Sequence, residues 1–425
     1  TLAPLSGGIQ GTFITLNDKV QYSKGGHAES ANNDNISIVI NKDSPLYVPI
    51  PGVMGGVYDY STLGETWSSP RIFRMPNESI NDNDLNDDIY VAVMGAGYSG
   101  GNPQNGSSVF VINLESSIDP TTGNVILPGK VEKVIDLQDK PGNNIVNAAP
   151  ASPVVIQADG DILASSAYRG ALVYQNDFEG KIHKINLTNL TSPNVKLFDS
   201  KIIFDAQADN TNKRLMYHSL EAGIGGTTNN FWLFGGTGDF HRFNDKSVGT
   251  DNILFGIKDP EFPYYTAVSD SYVPANLTQC TITTTETIPG ENCPTSSEIG
   301  WVIHLPNFSK VSNEPTLNVG NVLFPVYQPT LSANLCNIGS AFICEADDEC
   351  GTNITSTSIG LGNTKTDNAL GCRYVGQGIL SKIVVSGGRI FANVAGAKEG
   401  EESLINIKAG RVNTEIIRRS WRENN

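Results

Sequence analysis

A chain of 425 residues with 44 Asp+Glu against 29 Lys+Arg has a formal charge of -15, so phosphate backbones and anionic membranes repel it and nucleic-acid binding is excluded. No apolar run approaches the roughly 20 residues that a membrane helix needs, and no stretch has the pattern of a signal peptide, so no membrane insertion is expected. Charged residues make up only 17%, and 43 Gly with 22 Pro predict many short elements separated by turns.

Apolar residues alternating with period 2, rich in Val, Ile, Phe and Tyr and bounded by Gly, Pro or Asn, predict strands. They fall at 10–16, 71–75, 89–94, 109–114, 153–156, 172–174, 182–187, 231–234, 253–257, 301–305, 319–326, 379–385 and 389–394. Helical periodicity is almost absent. A proline-led strand (SSPRIF, ASPVVI, EPTLNV, with GILSKIVV related) is followed by one ending at Gly (VAVMGAGY, WLFGGTGDF). Next comes one with a small polar gap and an apolar end (SSVFVINL, EGKIHKINL, NILFGIKD). Repetition of this group with variable insertions predicts an all-β fold, a β-propeller of roughly six to seven four-stranded blades, partial or complete. A β-sandwich also alternates but rarely needs so many equivalent hairpins. The whole of 1–425 is read as one such domain, with surface insertions at 270–299 and 337–371, the latter carrying ICEADDEC, whose acids read as surface charge.

Six cysteines, Cys280, Cys293, Cys336, Cys344, Cys350 and Cys372, lie in the final third among Thr, Ser, Asn and Gly. No CxxC or His partner suggests zinc, and disulfides in an exported protein are expected. A cystine closing the 280–293 loop would stabilise by roughly 3 kcal/mol on the chain-entropy model; the other four allow three pairings.

GAGYSGG at 95–101 satisfies G-x-G-x-x-G and, from Gly97, G-x-S-x-G, but both need a helix next and NPQNGSS cannot supply one. It reads as a glycine-rich turn between strands. DYSTLGETW at 59–67 approximates a sialidase-type Asp box with Thr62 at the aspartate's place. His27, His183, His218, His241 and His304 show no metal spacing, so structural or exposed roles are expected. Two acidic runs gather hard oxygens of the kind calcium takes: Asp82, Asp84, Asn86 and Asp88, and Asp159 with Asp161.

The ordered series LGETWSSPRIFRM, DIYVAVMGAGY, SSVFVINLESS, AAPASPVVI, GALVYQNDFEGKIHKINL, NFWLFGGTGDF, NILFGIKD, GWVIHLP and RRSWREN resembles the C-terminal propeller of the PilY/PilC family of type IV pilus tip adhesins and biogenesis factors. The resemblance spans nearly the whole chain. It implies a non-enzymatic protein at a pilus tip outside the cell, mediating surface attachment and modulating pilus assembly and retraction. It also implies minor pilins as partners and a host or abiotic surface receptor. Residues 1–16 look like the family's glycine-rich strand that follows an opening blade, so an upstream blade is expected to be missing. The family's calcium loop precedes the strand that reads ALVYQNDFEGKIHKINL here. Asp159 and Asp161 match its opening, Ala171 replaces its last aspartate and Asp177 keeps the later acidic position. No Arg-Gly-Asp triplet occurs; Arg169-Gly170-Ala171 departs from it. Alternative classes are a quinoprotein dehydrogenase, disfavoured by the lack of adjacent cysteines and by only 4 Trp, and a structural cell-surface scaffold.

Overall fold

The computed structural model describes residues 21–24, 36–39, 59–76, 88–98, 105–118, 125–126, 128–157, 169–188, 195–242, 244–266, 271–280, 294, 298–330, 338–351, 366–367, 372–396 and 403–409. Within them, five sheets of four or more strands, built on antiparallel pairs, follow one another along the chain, beside two two-stranded pairs, Gln21–Lys24 with Ile36–Val39 and Ser117–Ile118 with Val125–Ile126. Blade 1 is Arg71–Met75, Ile89–Gly95, Ser108–Asn113 and Val131–Asp136. Blade 2 is Val154–Ile156, Gly170–Asn176, Lys181–Thr188 and Ser200–Asp205. Blade 3 is Glu221–Ile224, Phe231–Gly236, Ile253–Asp259 and Gly300–His304, with Thr278–Cys280 added in parallel at its edge. Blade 4 opens with Thr316–Asn318, continues through Asn321–Gln328, Ser340–Asp347 and Cys372–Gln377, and also carries Lys310–Val311 and Thr366–Asp367. Blade 5 pairs Ile379–Leu380 and Val384–Ser386 with Arg389–Ala395, which pairs Leu404–Lys408. This is the expected propeller; the described residues supply five of the roughly six to seven blades.

Why a middle strand reads as an unbroken apolar run follows from its two faces. In blade 3, Phe231 and Leu233 point into a core shared with Leu172, Tyr174 and Phe204 of blade 2. Trp232 and Phe234 point the other way, into a core shared with Val322, Phe324 and Phe342 of blade 4. Equivalent layers join blade 1 to blade 2 through Val91, Val109, Val173 and Ile185, and blade 4 to blade 5 through Leu323, Ile343, Ile390 and Val394. Each such side chain contributes on the order of 1.5–3 kcal/mol by burial. The terminal blades each keep one face open among the described residues, with Ile72 65% and Tyr90 48% exposed on blade 1 and Leu404 54% exposed on blade 5.

Two sequence motifs prove to be one contact. Gly256 of NILFGIKD lies opposite Trp301 of GWVIHLP, and a Cβ on Gly256 would meet the indole at 2.6 Å. Trp301, fully buried, donates its ring N–H to the carbonyl of Asp348 at 2.9 Å. Any side chain at 256 would therefore expel the indole that closes the core between blades 3 and 4.

The 337–371 segment is not wholly an insertion. Ser340–Asp347 is a central strand of blade 4, buried from Ala341 to Ala346. The ICEADDEC acids are likewise not surface charge: Glu345 is 2% exposed and accepts from Asn321 Nδ2 at 2.6 Å. Glu349 accepts the backbone amides of Thr227 and Thr228 at 2.8 and 3.0 Å. Carboxylates met by such donors can be buried. Within 270–299, the parallel strand Thr278–Cys280 likewise belongs to the sheet.

Candidate functional site at the propeller axis

Blades built as antiparallel meanders send all inner strands in one direction, so their first residues gather at one end of the axis. There Arg71, Pro153, Glu221, Glu314 and Lys382, one from each blade, surround a cavity of about 270 Å³ walled by residues 154–156, Leu220 and Ala222. A serine stands ahead of each inner strand (Ser69, Ser152, Ser219, Ser312 and Ser381), and hydroxyls at these strand starts staple the ring. Ser152 Oγ accepts from Ser69 N at 2.8 Å, and Ser219 Oγ accepts from Ser152 N at 3.0 Å. Between blades 4 and 5, Ser312 and Thr316 hydroxyls donate to the carbonyls of Leu380 and Ile383 at 3.0 and 2.7 Å. Blade 3 meets blade 4 where Gly223 leaves room for Leu317, whose methyl would lie 2.3 Å from a Cβ there.

The four charges at the mouth are not equivalent. Glu314 and Lys382 form an ion pair. Arg71 is anchored by Nε, which donates to the Pro153 carbonyl at 3.1 Å. Among the described residues, Glu221 accepts a hydrogen bond from the adjacent Ala222 N–H alone, at 3.2 Å. Burial raises the Glu221 pKa above its ordinary value, against the pull of that N–H and of the Lys382 and Arg71 charges, and the Glu314 charge adds to the rise.

A second polar cluster sits on the same end of the propeller, in the hairpin joining the second and third strands of blade 2. Asp177, Glu179, Lys181 and His183 are each at most 3% exposed. Lys181 Nζ lies 2.6 Å from Glu179 and 3.3 Å from Asp177, and also donates to the Leu137 carbonyl at 3.2 Å. His183 Nε2 and Asn147 Nδ2 lie 2.9 and 3.0 Å from Asp177 Oδ2. Burial alone would raise the Asp177 pKa, but His183 and Lys181 outweigh it and hold the carboxyl below its usual range. Beside this cluster, Tyr217 packs on Phe178 at 4.2 Å and bonds His241 Nδ1 at 2.7 Å, and Tyr98 completes an aromatic layer across blades 1 to 3. His304 pairs with Asp251. These histidines have structural partners.

Of the calcium candidates, Asp82, Asp84, Asn86, Asp159 and Asp161 lie outside the described residues. Asp88 is corrected: it is buried against Arg169, whose Nε donates to Oδ2 at 3.1 Å while its terminal nitrogen bonds Oδ1. A calcium ion needs carboxylate oxygens turned toward it, and both oxygens of Asp88 face a guanidinium. Asp177, at the family's later acidic position, is likewise taken by protein cations. Ala171 is fully buried in the apolar core between blades 1 and 2. No group of three or more His, Cys, Asp or Glu placed to hold a metal occurs among the described residues.

Cys344 and Cys372 form a cystine across 28 residues, and Cys350 is also disulfide-bonded. Cys293 and Cys336 lie outside the described residues. Cys280 is corrected: its parallel strand turns it into the core between blades 3 and 4, where it remains a thiol, 3.3 Å from the Cys350 carbonyl. Burial pushes that thiol up to about 12.

The sheets, their shared cores and the axial cavity define a β-propeller. Its fold is that of the Pseudomonas aeruginosa PilY1 C-terminal domain, to which the chain is similar with a TM-score of 0.50 at 14% identity, covering 88% of this chain and 76% of that one. An exo-1,5-alpha-L-arabinanase from a bovine ruminal metagenomic library aligns at 9% identity and a TM-score of 0.30, over 80% of this chain and 94% of that one, too weakly to bear on chemistry. No family model matches, and a search of curated proteins gives no match. Cystines persist in oxidising surroundings, which points to an extracytoplasmic location.

The sequence reading missed the axial mouth. Its signal was present in the residue beside each proline-led or serine-led strand start: Arg71, Glu221, Glu314 and Lys382.

Proposed function

We propose that this chain is the propeller of a type IV pilus tip-associated adhesin and biogenesis factor, acting in surface attachment and in control of pilus assembly and retraction, with minor pilins as neighbours. The observation that carries this reading is the agreement of two likenesses, one of sequence motifs and one of fold. The ordered strand motifs resemble the pilus family, and the blades built from them share the fold of the PilY1 C-terminal domain over 88% of the chain. A stiff disc joined by four apolar layers suits a tip component, because its loops can present binding surfaces without deforming under load. No catalytic role is assigned. Labelled protein imaged on its own cells should sit at filament ends, and deletion should reduce both piliation and attachment. Uniform decoration along filaments would instead indicate a structural scaffold and overturn the proposal. Calcium belongs to this reading only through Asp82, Asp84, Asn86, Asp159 and Asp161. Chelation should then lower the melting temperature, and indifference to chelator removes the ion.

A further inference from the structure

We propose that the axial mouth is a binding site for a compact zwitterion of amino-acid or dipeptide size, whose ammonium group Glu221 receives and whose carboxylate Arg71 receives. The inference rests on the cavity and its charges, not on the pilus reading. Four charged side chains from four blades ring one opening, yet only Glu314 and Lys382 neutralise each other. Arg71 is held in place by its Nε bond to Pro153, which leaves the two terminal nitrogens of its fork without an acceptor among the described residues. A guanidinium so fixed is preorganised to take a carboxylate with two parallel bonds. Glu221 has no cationic partner within salt-bridge distance among the described residues. A half-buried carboxylate in that position is costly until a cation meets it. The unmatched pair is thus one positive and one negative group, so a neutral zwitterion complements it where a simple anion or cation leaves one charge unmet. Valine, isoleucine and leucine side chains line the cavity and offer apolar contact to a small side chain, and about 270 Å³ falls just below the roughly 300 Å³ at which drug-sized ligand cavities begin, which suits a smaller ligand.

The experiment titrates L-alanyl-L-alanine into the protein by calorimetry, alongside its N-acetylated and its C-amidated forms. The dipeptide should bind, and each blocked form should bind at least tenfold more weakly. Glu221→Gln should abolish the penalty for acetylation, and Arg71→Leu the penalty for amidation. Arg71→Lys, which keeps the charge, should retain part of the binding, and cooperative thermal unfolding at temperatures no lower than that of the native protein shows that the variants remain folded. Absence of dipeptide binding to the unmodified protein, or equal binding of all three peptides, overturns the proposal whatever the variants do.

Discussion

The blade 2 hairpin and the axial mouth gather charge at the same end of the propeller and treat it in opposite ways. In the hairpin, Asp177, Glu179, Lys181 and His183 are withdrawn from water and met by one another, by Asn147 and by the carbonyl of Leu137. At the mouth, Glu221 and Arg71 carry opposite charges on different blades, and neither forms an ion pair among the described residues. Buried charge that is fully satisfied holds hairpins in register, whereas charge left unsatisfied beside a cavity is available to a ligand. Asp177 of the hairpin and Glu221 of the mouth titrate in opposite senses, while Glu179, beside Asp177, is raised by its burial despite Lys181 and Asn143. Asp177 lies below its ordinary pKa of 3.8, so its stabilisation is present above that value and lost as pH falls through the lower, folded one. Glu221 lies above its ordinary 4.5, so its contribution is present below 4.5 and lost as pH rises through the folded value.

The largest effect expected comes from breaking the satisfied side. Lys181→Met leaves Asp177 and Glu179 facing each other without their shared cation, which should destabilise by roughly 3–5 kcal/mol in denaturant unfolding. A loss below about 1 kcal/mol would mean that water reaches the cluster and that it resembles the mouth after all.

Next in size is a staple that owes nothing to charge. Replacing Cys344 and Cys372 together by Ala opens a link across 28 residues and should cost roughly 3–4 kcal/mol on the chain-entropy model, read as the shift in unfolding midpoint without reductant. Because the cystine lies in the core between blades 3 and 4, its loss should leave dipeptide binding at the mouth unchanged. A weakened site would show that the axis depends on blade 4 packing as well as on its own ring of hydroxyl bonds.

What could be read from the sequence divides along the same physical line. Strands that bury both faces, such as Phe231–Gly236 and Ile253–Asp259, announce themselves as continuous apolar runs. Edge strands do not: Val131–Asp136 buries only Ile135 on a solvated sheet edge and its three charges obscure any period. Ser340–Asp347 was hidden for a different reason, since Glu345 inside the core looks like surface charge until Asn321 is seen to meet it. Cys280 was misjudged because its neighbours in sequence are polar while its neighbours in space are Ile303 and Trp301. The axial mouth is assembled from single residues separated by the length of a blade, and only the circular arrangement makes them neighbours.

The smallest effect tests the unsatisfied side. Glu221→Gln keeps the shape of the side chain and removes a charge that folding disfavours, so without ligand it should raise stability at pH 7, by no more than about 1 kcal/mol. The gain should vanish below pH 4.5, where the carboxyl of the native protein is already protonated in both states. With the dipeptide at 100 times its dissociation constant the order should reverse. Binding then stabilises the native protein by about 2.7 kcal/mol, and the variant, lacking the acceptor for the ammonium, should gain much less. Thermal unfolding at pH 4 and pH 7, with and without dipeptide, gives four comparisons. A variant less stable than the native protein at pH 7 without ligand would mean that Lys382 or Arg71 already satisfies Glu221, and the contrast between the two regions would fail.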